Sequence, residues 1–325
     1  MSHTKYHKVG THMKGPLYGD LRAAGGLLKD MPIELVARRS NQYWFNDFVT
    51  AAEATASAAE WVQANIGSPT SPVFTNSVTT IEGVTSGAGG ASKGVLYLSS
   101  GTASTTGSQW QLKGTSEVGG AGWDFKDTDV NGCYAAWEAR VAFNPAVYGG
   151  TLGSFMFGMV VAKTAIMTTA GAASAPLGCW FRVDATNKVY AEASRDGTTI
   201  TSVSLRDVAG RTGYPVTTGN PLIASGRVTS SVTNNATYNR YGMRLRTDDV
   251  TSATAKQAID VFVNGTRVTV LKNATAGVVP QDIPVPSFAL VNNSTTANTM
   301  VCDYFWTCLD RDPQPYSTTT TATRY

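Results

Sequence analysis

Residues 239–271, NRYGMRLRTDDVTSATAKQAIDVFVNGTRVTVL, decide the fold class of this chain. The stretch predicts three consecutive antiparallel strands, because apolar and polar side chains alternate with a period of two residues. In the first strand the two alternating sets are Tyr241, Met243 and Leu245 on one face and Arg240, Arg244 and Arg246 on the other. We therefore expect the apolar face to be buried and the arginines to lie on the opposite face.

The turn between the second and third of these strands predicts their register. Asn264-Gly265 is a residue pair that accepts positive φ at both central positions of a type I′ turn. A two-residue hairpin at this position pairs Val263 with Thr266, Val261 with Val268 and Ile259 with Val270. All of these pairs fall on one face, so the turn and the hydrophobic pattern agree on one register.

The composition is typical of extracellular or virion β-proteins. Charged residues make up only 15% of the 325 residues, whereas Thr, Ser, Ala and Gly are plentiful. The formal net charge of +3 is dispersed, so nucleic acid is not an expected partner. No apolar run approaches the ~20 residues of a membrane span, and the polar N-terminus lacks the apolar core of a signal peptide. We therefore expect no membrane partner and synthesis in a cytoplasm.

The four cysteines predict free and mostly buried thiols. They are Cys133, Cys179, Cys302 and Cys308, and no C-x-x-C pair occurs among them. Cys302 and Cys308 would lie about 20 Å apart along one extended strand, which is too far for a disulfide.

The chain divides by composition into five segments. Residues 1–45 predict an extended N-terminal arm, and residues 46–66 predict one short helix, since Asn46 or Asp47 can cap it and alanines fill it. Residues 67–92 are rich in Gly, Ser and Thr and predict a linker. The remaining segments are a β-sandwich over 93–312 and a Thr-rich C-terminal tail over 313–325.

The arm carries apolar residues but no sustained period, and Gly25-Gly26 and Pro32 interrupt it. Such a segment cannot build a core of its own and is expected to lie on another surface, of this protein or of a neighbour. The residues predicted to form this assembly contact are Leu17, Leu28, Ile33, Trp44 and Phe45.

From residue 94 onward the pattern is that of strands. Besides the strands of the opening stretch, it predicts strands over 94–99, 108–113, 133–143, 154–163, 177–184, 188–194, 198–205, 286–292 and 300–309. Asp196-Gly197 predicts a second two-residue turn, with Arg195 opposite Thr198 and Ala193 opposite Ile200. The segments 154–163 and 300–309 are apolar on both faces, as central strands are. The expected fold is mainly β, a two-sheet antiparallel jelly-roll sandwich.

Three segments carry a resemblance to a known superfamily. They are WEARVAF at 137–143, the hairpin run CWFRVDATNKVYAEASRDGTTIT at 179–201, and YGMRLR followed by IDVFVNGTRV, with VCDYFWTCLD as a closing strand. Their order resembles the concanavalin A-like, laminin-G-like jelly rolls, which implies that fold over about 94–311. A long leader joined to such a domain looks like a tailed-phage virion protein, such as a capsid decoration, head-fibre or tail-attached protein.

Some relatives with this sandwich are glycoside hydrolases, which place two carboxylates at alternating positions of one strand. Here Glu138 is followed at the alternate position by Arg140, so the acid pair is missing. All three histidines lie within the first 12 residues, which removes a Ser-His-Asp triad or a histidine-ligated zinc from the sandwich. Loops near Asp248 and Asp310 could offer oxygens to calcium, but no spaced ligand series occurs. We expect no enzymatic activity and no cofactor.

Aromatic residues offer a glycan platform as an alternative function. Trp180 and Tyr190 flank one hairpin, and Trp306 lies on a comparable strand face. The competing interpretation is that they fill a second buried layer or contact the arm.

The leading hypothesis is a non-enzymatic structural protein located in a phage virion, whose partners are other virion proteins and copies of itself. A carbohydrate-binding adhesion module for host-surface glycans comes second, and a polysaccharide-acting enzyme third.

Overall fold

The computed structural model describes residues 42–46, 61–67, 73–78, 92–100, 103–112, 134–144, 153–185, 188–205, 239–246, 257–273, 277–280, 282–293 and 298–309. The strands within these ranges are β1 Gln42–Asn46, β2 Trp61–Ile66, β3 Val73–Val78, β4 Ser92–Ser99, β5 Thr106–Leu112, β6 Tyr134–Asn144, β7 Ser154–Val161, β8 Gly178–Val183, β9 Val189–Ser194, β10 Ile200–Ser204, β11 Asn239–Arg246, β12 Ala258–Val263, β13 Thr266–Leu271, β14 Pro284–Asn292 and β15 Thr299–Leu309.

The strands form two antiparallel sheets. Sheet A has the order β13-β12-β11-β6-β15-β4-β3, and β1 also pairs with β15. Sheet B has the order β10-β9-β8-β7-β14-β5-β2. The predicted fold class, a mainly β two-sheet antiparallel sandwich of jelly-roll type, is confirmed. The strands predicted after residue 93 are all present, and the doubly apolar segments 154–163 and 300–309 are interior strands β7 and β15.

The core lies between the sheets and is rich in aromatic side chains. On the sheet A side, Trp137 of β6 stacks on Phe305 of β15 with ring centroids 5.3 Å apart. On the sheet B side, Phe157 stacks on Phe181 at 5.6 Å. Tyr241 of β11 contacts both of these phenylalanines, at 5.2 and 5.1 Å. The predicted burial of one face of β11 is thus confirmed, since Tyr241, Met243 and Leu245 all belong to this core.

The turn between β12 and β13 has the predicted type but not the predicted register. Asn264 and Gly265 have φ of 50° and 79°, as a type I′ turn requires. The pair Val263–Thr266 forms as expected. Beyond it the register shifts, so that Val261 pairs with Thr269 and Ile259 with Leu271. A β-bulge at Val268 inserts one extra residue into β13, which an edge strand tolerates, so the pairs expected for Val268 and Val270 were wrong.

The turn at Asp196-Gly197 is longer than predicted. Ser194 pairs with Ile200 and Ala193 with Thr201, so the expected opposition of Ala193 and Ile200 was wrong. The side chain of Asp196 explains the longer turn, since its Oδ1 accepts hydrogen bonds from the backbone N of Thr198 at 2.8 Å and of Thr199 at 3.0 Å. This local capping keeps both threonines out of the strand ladder.

The predicted helix over 46–66 is contradicted at both of its ends. Asn46 ends β1, and residues 61–66 form β2 at the edge of sheet B, while 47–60 lie outside the described residues. The reason is tertiary packing: Trp61 is buried in the core and stacks on Trp110 with centroids 4.3 Å apart. Helix propensity is a weak prior that such burial overrides. The predicted linker is likewise interrupted by β3, which pairs with β4.

The C-terminal end of the predicted arm belongs to the sandwich. Trp44 and Phe45 lie in β1, which pairs with residues 305–309 of β15. The Trp44 ring packs against Trp61 at 6.0 Å and against Phe305 at 6.4 Å, and it adjoins the core. The assignment of Trp44 to an assembly contact was therefore wrong, because its partner is this chain's own core. Leu17, Leu28 and Ile33 lie outside the described residues, as does the tail 313–325.

The loop between β7 and β8 covers part of the outer face of sheet B, the face that points away from sheet A. Gln109 of β5 fixes the loop, since its Nε2 donates to the carbonyl O of Lys163 at 2.5 Å and its Oε1 accepts from Ile166 N at 2.7 Å. Ile166 and Met167 then pack with Val160 of β7 and other apolar residues of the outer face. This half of the outer face is therefore closed to solvent.

The described cysteines Cys179, Cys302 and Cys308 are free and buried, as predicted, whereas Cys133 lies outside the described residues. In the part of the chain that the structure describes, we find no helix with the length and hydropathy that a membrane crossing needs.

Candidate functional site

The three aromatic residues predicted as a glycan platform do not share one surface. Trp180 and Tyr190 lie on the adjacent strands β8 and β9 of sheet B, whereas Trp306 lies on β15 of sheet A. Trp306 is only 2% exposed, and Trp180 is 0% exposed. The structure therefore does not bring the three rings together, and Tyr190 alone of the three is accessible to solvent.

Trp180 lies across the sheet from a residue that has no side chain. Gly158 of β7 pairs with Trp180, and a Cβ on Gly158 would lie 2.6 Å from Trp180 Cα. The indole packs into the outer apolar cluster with Ile166 and Met167. It therefore belongs to the second buried layer that was the competing interpretation.

Glu192 of β9 organises the polar side chains beside Trp180. Its Oε2 accepts a hydrogen bond from Trp180 Nε1 at 2.8 Å, and its Oε1 accepts one from Ser202 Oγ of β10 at 3.2 Å. Arg182 of β8 adds a two-nitrogen contact, with Nη2 to Oε1 at 2.7 Å and Nε to Oε2 at 3.0 Å. Four donors of this kind hold the carboxylate of Glu192 rigidly in place.

Arg182 connects Glu192 to Tyr190. Its guanidinium carbon lies 4.6 Å from the centroid of the Tyr190 ring, within the range of a cation–π contact. The Tyr190 hydroxyl donates to Asp184 Oδ2 at 3.3 Å. Burial alone would lower the pKa of Arg182, but its hydrogen bonds and charge interaction with Glu192 raise that pKa above the ordinary value. Burial and the charge of Asp184 raise the pKa of Tyr190.

The outer face of sheet A holds a second group of polar residues, around Glu138. This carboxylate is buried, which its sequence pattern did not indicate. Its Oε1 accepts a hydrogen bond from Tyr304 Oη at 2.7 Å. Burial and the charge of Glu138 raise the pKa of the Tyr304 hydroxyl far above its ordinary range. Next to this pair, Arg140 Nη1 lies 2.5 Å from Oδ2 of Asp303, at the position where β15 shifts register.

Further along sheet A, Asp260 of β12 is completely buried between two arginines. Arg244 Nη2 lies 2.6 Å from its Oδ2, and Arg267 Nη1 lies 3.4 Å from its Oδ1. The guanidinium of Arg244 also lies 5.5 Å from the centroid of the Phe262 ring. Arg244, on the outer face of β11, is thus buried, which the alternation of arginines did not predict.

These contacts decide what the described residues can do chemically. Glu138, Glu192, Asp260 and Asp303 each receive donors from Tyr, Trp or Arg side chains. A general acid or base needs a carboxyl group that can reach a substrate, and the first three of these are buried. Within the described ranges no group of His, Cys, Asp and Glu could hold a metal ion. The acidic pairs at 248–249 and at 310 and 312 lie outside those ranges.

Sequence reasoning found Trp180 and Tyr190 but missed Glu192, Arg182 and Ser202. A signal was present in the printed sequence, because these residues alternate with the core residues of β8, β9 and β10. Placing them side by side requires the register, which pairs Trp180 with Glu192 and Glu192 with Ser202. The misjudged turn at Asp196-Gly197 would have shifted the second of these pairs by one residue.

Comparison with known proteins gives structural likeness only. No family model matches the chain, and no curated protein matches it. Among solved structures, the carbohydrate recognition domain of Emp47p is similar at 12% identity with a TM-score of 0.42, covering 82% of this chain and 94% of that one. An endo-1,3-β-glucanase from Streptomyces sioyaensis has 12% identity, a TM-score of 0.40, and coverage of 84% and 97%. The lectin-like defence protein arcelin-5 from Phaseolus vulgaris has 9% identity, a TM-score of 0.41, and coverage of 83% and 98%. These identities transfer neither an activity nor site residues to this chain.

Proposed function

We propose that this chain is a non-enzymatic structural protein of a phage particle, in which the β-sandwich is the displayed body. A non-enzymatic role is supported by one observation: the buried carboxylates on the outer faces of the two sheets are already bound by other side chains of the chain. Glu192 and Asp260 are buried in ion pairs with arginines, and Glu138 is buried against Tyr304. Carboxylates fixed in this way stabilise a surface but do not exchange protons with a substrate.

The attachment of this body to a particle is assigned to residues before β1. The described sandwich begins with Gln42, and Trp44 packs against its core, so the attaching segment is shortened to residues 1–41. That segment contains Leu17, Leu28 and Ile33, each worth roughly 1.5 to 3 kcal/mol if fully buried in a partner. The proposed partners are other virion proteins and further copies of this chain.

The test is incorporation of the full-length chain into particles. Tagged wild-type protein and a triple variant, Leu17→Ala with Leu28→Ala and Ile33→Ala, are produced in cells that assemble the particles. Quantitative mass spectrometry of purified particles should find the wild type at a fixed copy number and the variant strongly depleted. Val62→Ala is the matched control, because Val62 is an exposed residue of the body. Wild-type protein absent from particles, or a triple variant loaded at full copy number, contradicts the proposal.

The non-enzymatic part has its own test. Purified wild-type protein is incubated with a panel of polysaccharides, with and without divalent metal, and reducing ends are counted. We expect no release above the buffer blank. Reproducible release that disappears in the Glu138→Gln variant would show that the buried carboxylate is catalytic.

A further inference from the structure

We propose that Asn264 is a site of spontaneous deamidation, and that the fold slows this reaction by holding the asparagine side chain against β11. Asn264 and Gly265 form the type I′ turn between β12 and β13. The contacts of Asn264 with Asn239 and Arg240 are called the Asn264 clamp below. The proposal concerns the chemical lifetime of the chain, and it does not depend on a structural role in a particle.

The chemistry follows from the residue after the asparagine. Glycine has no Cβ to hinder an approach of its backbone nitrogen to the side chain before it. The backbone N of Gly265 bonds to Cγ of Asn264, the Cγ–Nδ2 bond breaks, and Nδ2 leaves as ammonia with the proton from the Gly265 N–H. The product is a five-membered succinimide ring. Water then opens the ring at either carbonyl, which gives aspartate or isoaspartate at position 264.

The turn is accessible to the water that this reaction consumes. Asn264 is exposed, and Gly265 is half-buried. The sequence contains one other Asn-Gly pair, Asn131-Gly132, which lies outside the described residues. In the unfolded chain the two pairs have the same local chemistry, so Asn131 provides a reference rate for Asn264.

The Asn264 clamp exists because β11 is longer than β12 at this end of the sheet. Val263, the last residue of β12, pairs with Tyr241. Asn239 and Arg240 therefore extend past β12 and lie beside the turn. Asn264 Nδ2 donates to Asn239 Oδ1 at 2.9 Å, and Asn264 Oδ1 accepts from Arg240 N at 2.9 Å. The orientation of the amide is determined, because the Arg240 N–H can only donate.

The clamp opposes deamidation. The Nδ2 atom leaves during the reaction, so its hydrogen bond to Asn239 must be lost, and Asn239 is only 2% exposed. The backbone N of Asn264 also donates to Arg240 O at 2.8 Å, which holds the turn itself against β11. The ring can therefore close only after a local opening of this junction, and the population of the open state limits the rate in the folded protein.

The isoaspartate product would damage the hairpin. In that product the main chain runs through the former side chain, which adds one atom between Cα of residue 264 and Gly265 N. A two-residue type I′ turn that keeps Val263 opposite Thr266 has no place for an additional backbone atom. The hairpin includes the edge strand β13. Molecules that have reacted are therefore expected to have weakened pairing between β12 and β13.

The experiment follows deamidation of the full-length chain by peptide mapping with mass spectrometry. The chain is incubated at one pH and temperature, in buffer and in urea that unfolds it. In urea, Asn264 and Asn131 should react at comparable rates. In buffer, Asn264 should react at least about tenfold more slowly than in urea. Protein that has reacted at Asn264 alone, separated by ion exchange, should unfold at a lower urea concentration than unreacted protein.

Two variants separate the clamp from the stability of the whole sandwich. Asn239→Ala removes the acceptor of Asn264 Nδ2, and it should raise the rate at Asn264 in buffer by about threefold to tenfold without changing the rate in urea. Trp44→Ala is the matched control, because it removes contacts with Trp61 and Phe305 that lie outside the clamp. Its rate at Asn264 in buffer should stay within about twofold of wild type.

Several results would overturn the proposal. They are an Asn264 that reacts in buffer as fast as in urea, an Asn264 that does not react in urea, a folded Asn239→Ala protein with the wild-type rate, and a Trp44→Ala protein accelerated as much as Asn239→Ala. Reacted protein as stable as unreacted protein would contradict the predicted damage to the hairpin. If Asn239→Ala fails to fold, the comparison of wild type in buffer and in urea still decides whether the fold protects Asn264.

Discussion

Arg244 Nη2 and Asp260 Oδ2 form an ion pair at 2.6 Å on the outer face of sheet A, yet their side chains are only 4% and 0% exposed. The pair links adjacent strands, since Arg244 of β11 lies directly opposite Asp260 of β12. A buried ion pair is costly to break, because removal of one partner leaves the other charge in a region without water.

Asp260→Ala should therefore destabilise the protein by about 3 to 5 kcal/mol in urea unfolding. The matched control is Asp303→Ala, which removes the partner of Arg140 from a pair whose side chains are 30% and 37% exposed. An exposed pair of this kind is worth about 0 to 1 kcal/mol. Similar losses in the two variants would mean that burial does not set the strength of the Arg244–Asp260 pair.

Gly265→Val should cost roughly 1 to 3 kcal/mol, because a β-branched residue is strained at positive φ. The φ of Gly265 is 79°, and that of Asn264 is 50°. Gly265→Asn is the control, since asparagine tolerates this region and should lose much less stability. Equal unfolding midpoints for the two variants would show that strain in the type I′ turn is not the cause of the lost stability. Glu138→Gln would be an unsuitable control, because the Glu138 carboxylate is buried against Tyr304.

Stability should fall in alkaline solution, in part because of Cys179. Burial raises the pKa of this thiol from 9.0 to about 12, while the hydrogen bond from Trp137 Nε1 lowers it in part. The unfolded chain releases the proton first, so the stabilisation is complete below pH 9.0 and is lost as the pH rises toward 12. Between these values the slope from this group is about 1.4 kcal/mol per pH unit. The test is the unfolding free energy of wild type and of Cys179→Ala, measured at several pH values. If the free energy of both proteins falls with pH at the same slope, the raised pKa of Cys179 is contradicted.

Trp44→Ala should destabilise the sandwich by about 2 kcal/mol, because the ring packs against Trp61 and Phe305. Leu28→Ala is the control, and its unfolding free energy should stay within about 0.5 kcal/mol of wild type if Leu28 contacts a partner rather than the sandwich. The measurement is equilibrium unfolding followed by tryptophan fluorescence. If the Trp44→Ala protein is as stable as wild type, Trp44 would instead be assigned to the contact with a partner protein.

The strands after residue 93 could be predicted because apolar and polar side chains alternate along a strand that has one face in the core. Tyr241, Met243 and Leu245 are buried as that pattern indicates. Local turn chemistry predicted the turn type at Asn264-Gly265 but not the bulge at Val268 that shifts the register beyond it. It also failed at Asp196, whose side chain accepts hydrogen bonds from two backbone N–H groups and lengthens the turn.

The remaining features depend on contacts that are distant in sequence. Alanines surround Trp61 in the sequence, yet residues 61–66 form a strand that pairs with β5, where Trp61 stacks on Trp110. The bulge at Val268 and the burial of Arg244 likewise follow from the position of a strand within the sheet. At the candidate site, Tyr190 was visible as an aromatic residue, but its link to Glu192 through Arg182 required the register of β8, β9 and β10.

The pairing of β1 with β15 also constrains the order of folding during synthesis. Gln42 lies opposite Leu309, so the first described strand waits for the last before it gains its ladder hydrogen bonds. Contacts of such long sequence separation form slowly, because the loop must be closed before they contribute any stability. On the ribosome, Trp44 therefore lacks its contact with Phe305 until almost the whole sandwich has emerged, so the pairing of β1 with β15 is among the last to form.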